Sequence, residues 1–169
     1  MKTDVRVWWL LACVMLLSSC SSTPSRPPEY TYQKEAITIT LRADPQLNLY
    51  QGSPHTLVLC TYQLKDPNAF NQLTDERDGL PRLLECGRFD GSVAYTKRLV
   101  VQPGQVTVEA LDRAEGAKYI SVVAGYYSLQ KAGVVRLYQI PVTTKSSTPG
   151  SLAIELYLGP QTILDTKGK

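Results

Sequence analysis

The chain has 169 residues, a formal net charge of +3, 43% hydrophobic and 20% charged residues. That near-neutral balance, without clustered lysine and arginine, argues against a nucleic-acid surface. A single histidine and no CxxC spacing argue against a zinc site.

Lys2 and Arg6 open the chain, followed by an unbroken apolar run from Val7 to Leu17. The run is too short to cross a bilayer as a helix, which takes about 20 residues. A basic start, a short apolar core and small residues before a cleavage point describe an export signal. The small residues are Ser18 and Ser19, and Cys20 follows, so Leu17-Ser18-Ser19-Cys20 reads as a lipobox whose cysteine becomes the acylated first residue of the mature protein. Each buried methylene contributes about 0.8 kcal/mol and one chain holds only marginally, but the two or three chains of such a cysteine anchor it for good. Ser21, not the aspartate that retains lipoproteins in the inner membrane, comes next, which favours the outer membrane.

Removing residues 1–19 leaves 150 residues, the size of one domain, and loss of Lys2, Asp4 and Arg6 brings the net charge to +2. Ser21 to Lys34 is polar and carries Pro24, Pro27 and Pro28, the composition of a tether; the alternative is an ordered arm packed on the domain. The expected division is a cleaved signal over 1–19, a lipidated N-terminus and flexible tether over 20–34, and a folded domain over 35–166.

From Ala36 the period becomes two. Ile37, Ile39 and Leu41 alternate with Thr38, Thr40 and Arg42, and Leu57–Leu64 is a second, more apolar run. Further strands are expected at Lys97–Val101, Val106–Ala110, Tyr119–Tyr127, Val134–Ile140, Leu152–Leu158 and, after a Gly159-Pro160 turn, Gln161–Asp165. Pro103-Gly104 reads as a tight turn. Between the second and third strands the pattern changes. Asp66-Pro67 opens a short helix with Ala69, Phe70 and Leu73 on one face, and Leu80, Leu83 and Leu84 repeat at helical spacing before a stop at Gly87. Seven or eight short strands and one helical insertion predict an all-β two-sheet sandwich.

With Cys13 in the signal and Cys20 acylated, Cys60 and Cys86 remain. In an oxidising compartment such a pair bonds, for about 3.5 kcal/mol on the chain-entropy account; the alternative is two buried thiols. No catalytic set is visible. His55 lies in a Ser53-Pro54-His55 turn and reads as a solvated loop residue, GxSxG and phosphate-binding glycine loops are absent, and Asp75, Glu76 and Asp78 do not have calcium-loop spacing. No metal, cofactor or small-molecule substrate is expected. The Tyr119–Tyr127 strand reads as ordinary core packing. The unusual stretch is Asp44–Pro54, a connection of about eleven residues where a hairpin needs two to five. Its Leu47, Leu49 and Tyr50 either fold back onto the core or meet a partner.

The order of lipobox, ITITL strand, a loop with Leu47-Asn48 and Gly52-Ser53-Pro54, the run Tyr62-Gln63-Leu64-Lys65-Asp66-Pro67-Asn68-Ala69-Phe70, a Val101-Gln102-Pro103-Gly104-Gln105 turn and Ala117–Tyr126 resembles the outer-membrane lipoprotein of type VI secretion systems, the TssJ type. The resemblance covers roughly residues 36–142. It implies a transthyretin-like sandwich, anchored in outer-membrane lipid through acylated Cys20 and facing the periplasm. It further implies docking to the periplasmic C-terminal domain of the large inner-membrane component of the same machine. In that family the first inter-strand loop carries much of the contact, which here implies Gln46, Leu47, Asn48, Leu49, Tyr50 and Gln51. Two features depart from the pattern. Val134-Val135-Arg136 stands where a tryptophan-arginine pair is common, and the Cys60/Cys86 pair is not general. A substitution such as Leu47→Asp or Tyr50→Asp is expected to weaken docking without unfolding the domain. The competing reading is a periplasmic lipoprotein carrying a small hydrophobic ligand in a sandwich cavity.

Overall fold

The computed structural model describes residues 27–143 and 148–164, so the expected signal, the lipobox and Cys20 lie outside the described residues. Period-two alternation builds the first strand, β1 (Gln33–Ala43), in which Ile37, Ile39 and Leu41 have no accessible surface. It pairs antiparallel with β4 (Val106–Arg113) and parallel with β9 (Leu152–Leu158), and β10 (Ile163–Leu164) adds to the outer edge of β9. The second sheet has the order β3 (Val93–Val101), β2 (Leu57–Leu64), β5 (Tyr119–Ala124), β6 (Val135–Gln139), all antiparallel. A hairpin of β7 (Val142–Thr143) and β8 (Thr148–Pro149) lies outside both sheets. The chain therefore forms the expected two-sheet sandwich with a helical insertion between β2 and β3.

The core follows from register. Leu59 sits opposite Ala124 on one side and Leu99 on the other, while Ile39 and Leu41 sit beside Ile154 and Leu156. These inward side chains close on one another, each worth about 1.5–3 kcal/mol when buried. The Pro103-Gly104 turn forms as expected, with Gly104 at φ 73° and the Gln105 N–H donating to the Gln102 carbonyl at 3.1 Å. The alternation in β4 points the other way from the usual rule. Val106 and Val108 face solvent at 60% and 63% exposure, and Glu109 on the opposite face pairs with Lys97 at 2.7 Å.

β2 is buried on both faces except at Val58 because the insertion covers its outer side. Helix α1 (Asn68–Asp75) begins where the Asp66 carboxylate accepts the Asn68 N–H at 2.8 Å, and buries Phe70 and Leu73. Helix α2 (Gly79–Leu83) follows so closely that a Cβ on Gly79 would lie 1.6 Å from the Leu73 carbonyl oxygen. Tyr62 packs its ring on Phe70 and Phe89, both at 5.8 Å between centroids, and donates its hydroxyl to the Leu83 carbonyl. Burial, helped by the Glu85 carboxylate, pushes the Tyr62 phenol up to about 12. Cys60 and Cys86 are bonded, with their Cα atoms 5.2 Å apart, and tie the layer to β2. The helical run does not stop at Gly87 as expected: Cys86 itself takes the left-handed conformation, φ 57°.

The residues before β1 are seated on the domain from Tyr30 onward. Tyr30 is buried and its carbonyl accepts the Gly116 N–H at 2.6 Å, and the Arg113 guanidinium donates to the Thr31 carbonyl at 3.1 Å. Asp112 accepts the Tyr32 hydroxyl at 2.6 Å and the Glu35 N–H at 2.8 Å; these two bonds hold its carboxyl below the usual range. The N-terminal arm and the β1–β2 loop thus occupy opposite ends of β1.

Candidate docking site

The loop from Asp44 to Thr56 is built rather than loose. At its root the Asp44 N–H donates to the Leu158 carbonyl at 2.8 Å, and the Asp44 carbonyl accepts the Leu47 and Gly104 N–H groups at 2.9 and 3.1 Å. Leu47 then turns into the core and has no accessible surface. Asn48, also buried and at φ 48°, bridges the loop: its amide donates to the Thr56 carbonyl at 3.1 Å and its carbonyl oxygen accepts the Tyr127 N–H at 3.1 Å. The Leu49 N–H reaches the Pro160 carbonyl at 2.7 Å, which binds the loop to the β9–β10 turn. At the tip, Tyr50 and Ser53 exchange two backbone bonds of 3.0 Å around Gln51 (φ 49°) and Gly52 (φ 77°). Two successive positive φ values are those of a type I′ turn, which favours glycine at its second central position.

The geometry divides the six loop residues expected to touch a partner. Leu47 and Asn48 are buried; they seat the loop and offer no surface. Leu49 is half-buried, while Gln46, Tyr50 and Gln51 are exposed. The expectation that Leu47→Asp leaves the domain folded is therefore corrected: it would put a carboxylate where no water reaches. The Tyr50 ring, 44% exposed, stacks on Tyr127 with centroids 4.1 Å apart and planes 14° from parallel. His55 stands edge-on to both, 5.4 Å from Tyr127 and 6.4 Å from Tyr50.

Sequence reasoning missed Tyr127 and His55. Tyr127 was expected to continue β5 into the core, but the strand ends at Ala124 and Tyr127 emerges with 55% of its surface exposed. No local signal marks it, because its partner Tyr50 is far away in sequence. His55, expected to be solvated, is half-buried in an aromatic rather than a polar setting. The acidic cluster is exposed, and two of its members meet cations: Asp75 takes Lys131 at 2.5 Å and Glu76 takes Arg82 at 3.3 Å. Among the described residues no group of three or more histidine, cysteine, aspartate or glutamate side chains is arranged to hold a metal ion. The site offers aromatic faces and amides, the chemistry of protein recognition.

A family model described as "Type VI secretion lipoprotein, VasD, EvfM, TssJ" matches residues 35–160. No curated protein sequence matches the chain. Among solved structures, the chain is similar to the T6SS lipoprotein TssJ1 from Pseudomonas aeruginosa, at 22% identity and a TM-score of 0.59 over 82% of this chain and 95% of that one. It is also similar to Lip of Serratia marcescens, a membrane-bound component of the type VI secretion system, at 19% identity and 0.63 over 79% and 98%. A structure described as the T6SS protein TssM C-terminal domain from EAEC matches at 19% identity and 0.59 over 76% and 94%. At these identities the likeness to solved structures is one of fold.

Proposed function

Because the chain belongs to the type VI secretion lipoprotein family, we propose that it is an outer-membrane-anchored periplasmic lipoprotein that docks the inner-membrane component of a trans-envelope secretion complex. Cys20 carries the acyl anchor in this reading, and the partner is the periplasmic C-terminal domain of the large inner-membrane protein. Its role is structural rather than catalytic. The observation that carries the reading is the Tyr50–Tyr127 stack, an exposed ring on a loop whose backbone is bonded at root, middle and tip, packed against an exposed ring from the segment after β5. Rigid aromatic anchors lose little conformational entropy on binding, which is why they dominate interface energetics. A solved structure described by its TssM C-terminal domain holds a chain similar in fold to this one, which supports the choice of partner. Leu49 and Gln51 adjoin Tyr50 in the chain, Gln46 is exposed near the start of the loop, and the buried Leu47 and Asn48 seat it.

The test is a titration of the chain with the periplasmic C-terminal domain of the inner-membrane component from the same system. Tyr50→Asp places a charge in the centre of the contact and should weaken binding by at least about a hundredfold, the cost of a central hot-spot residue. Its unfolding transition should stay close to wild type, since Tyr50 lies outside the core. Unchanged affinity would move the interface elsewhere. The ligand-carrier reading has less support, because the space between the sheets is filled by Ile37, Ile39, Leu57, Leu59, Ile120 and Val122, none with accessible surface.

A further inference from the structure

Four segments meet at the loop end of the sandwich: the loop 44–56, the β3–β4 turn 102–105, the stretch 125–130 after β5 and the β9–β10 turn 159–162. Hydrogen bonds stitch them together. The Gly104 N–H donates to the Asp44 carbonyl at 3.1 Å, and the Leu49 N–H to the Pro160 carbonyl at 2.7 Å. The Tyr127 N–H donates to the Asn48 side-chain oxygen at 3.1 Å. In a chain with 20% aspartate, glutamate, lysine and arginine, these segments hold one such residue, Asp44, together with the half-buried His55. The Asp44 carboxylate is taken up within the loop, where it accepts the Gln46 N–H at 2.7 Å. Cations just beyond the segments in the chain are engaged elsewhere. Arg42 pairs with Glu155 at 2.6 Å, Lys131 with Asp75 at 2.5 Å, and Arg136 donates to the Ile163 carbonyl at 2.7 Å. What this end exposes instead is amide and ring: Gln46, Gln51, Gln102, Gln130 and Gln161, with Tyr50 and Tyr127. At the arm end, by contrast, Lys34, Lys65, Asp112, Glu115 and Lys118 are all exposed.

A charge pressed against such a face loses its water and meets no opposite charge, so it is buried unpaired. Glutamine amides both donate and accept, and they match main-chain, amide or hydroxyl groups. We infer that the loop end is one continuous docking footprint for a partner surface that is itself uncharged, apolar where it meets the two rings and hydrogen-bonding where it meets the glutamines. The inference rests on the docking reading above. It adds the chemistry the partner presents, and it carries the contact from the loop tip onto the β3–β4 turn. Selectivity follows from the same feature, because a wrong partner with a charged patch is refused. Encounter is not steered by charge, so binding does not depend on salt.

The experiment titrates the detergent-solubilised full lipoprotein with the same periplasmic partner domain, using wild type, Gln51→Lys, Gln51→Glu, Gln102→Lys, Gln102→Glu and Tyr50→Asp. Gln51 and Gln102 are exposed, so their variants should unfold at the wild-type midpoint. Against an uncharged surface either sign of charge is unpaired, and each of the four should weaken binding about tenfold or more. Against a charged surface one sign would weaken the complex and the other tighten it. Wild-type affinity should change by less than about threefold from about 0.1 to about 1 M sodium chloride, as the screening length falls from about 10 to about 3 Å. Wild-type or tighter binding by either charge at either glutamine, or a larger salt dependence, overturns the uncharged footprint; with Tyr50→Asp still weak, the docking loop stands. Wild-type affinity in Tyr50→Asp, or no binding by the wild type, overturns the docking reading and the footprint with it.

Discussion

Leu47 and Tyr50 stand three positions apart in one loop and serve it in opposite ways. Leu47 is a peg with no accessible surface, and Tyr50, 44% exposed, is the proposed contact surface. Leu47→Ala should therefore cost about 2–5 kcal/mol of stability, the usual range for emptying a buried leucine site. A urea titration would read this as a lower midpoint with an unchanged slope, and partner affinity should remain within a few-fold as long as the domain is folded. The sequence makes the loop itself conspicuous, through its length and its apolar residues. It does not tell which of them turn inward, because the left-handed residues Asn48, Gln51 and Gly52 break any period before it can be read. Tyr127 is hidden for a different reason: its position depends on where β5 lets go of the sheet, and that is decided by tertiary contacts.

Among the elements, alternating strands were legible wherever one face meets the core. β1, β2 and β9 lie close to where their periods put them. β4 shows the limit. Its alternation marks a strand correctly, but its valines face water, since a two-period pattern gives no sign of which face is inside. The insertion was legible as helical, and its purpose becomes clear only in three dimensions: it seals the outer face of β2. The Cys60–Cys86 bond and the Tyr62 hydroxyl hold that seal. Replacing both cysteines with alanine should remove up to about 3.5 kcal/mol, by the loop-closure account. The loss should register as faster amide exchange in α1 and α2 ahead of the sheets. Tyr62 adds a pH dependence. Its folded pKa, pushed up to about 12, lies above the ordinary phenol value near 10. The neutral phenol is thus the form that folding favours, so this contribution is complete below pH 10 and is lost as pH rises through 12. Alkaline unfolding of the wild type should begin in that window. Tyr62→Phe, somewhat less stable at neutral pH for want of its hydrogen bond, should lose the step, as followed by circular dichroism against pH.

At the scale of the whole molecule, the two proposed functions fall at the two ends of β1. The arm at Tyr30–Gln33 leads back toward the proposed anchor, and the loop after Ala43 carries the proposed docking surface. A strand rises about 3.3 Å per residue, so β1 sets these ends roughly 35 Å apart. Seating the arm through Gly116, Arg113 and Asp112 makes that separation rigid, because the chain is already fixed to the domain before it enters the sheet. The stretch between Cys20 and Tyr30 can span at most about 35 Å even when fully extended. An acylated Cys20 would then hold the arm end near the lipid and leave the loop on the far side, toward a partner reaching out from the other membrane. Anchor and docking surface are separable on this geometry. Cys20→Ala should yield a folded protein that binds the partner domain in solution with wild-type affinity. It should nevertheless leave the membrane fraction for the soluble periplasm and fail to support secretion. Fractionation, titration and a secretion assay read the three parts independently. A loss of solution affinity would show that the lipid end and the docking end are coupled. Secretion surviving in the soluble variant would overturn the anchor as the reason for the domain's placement.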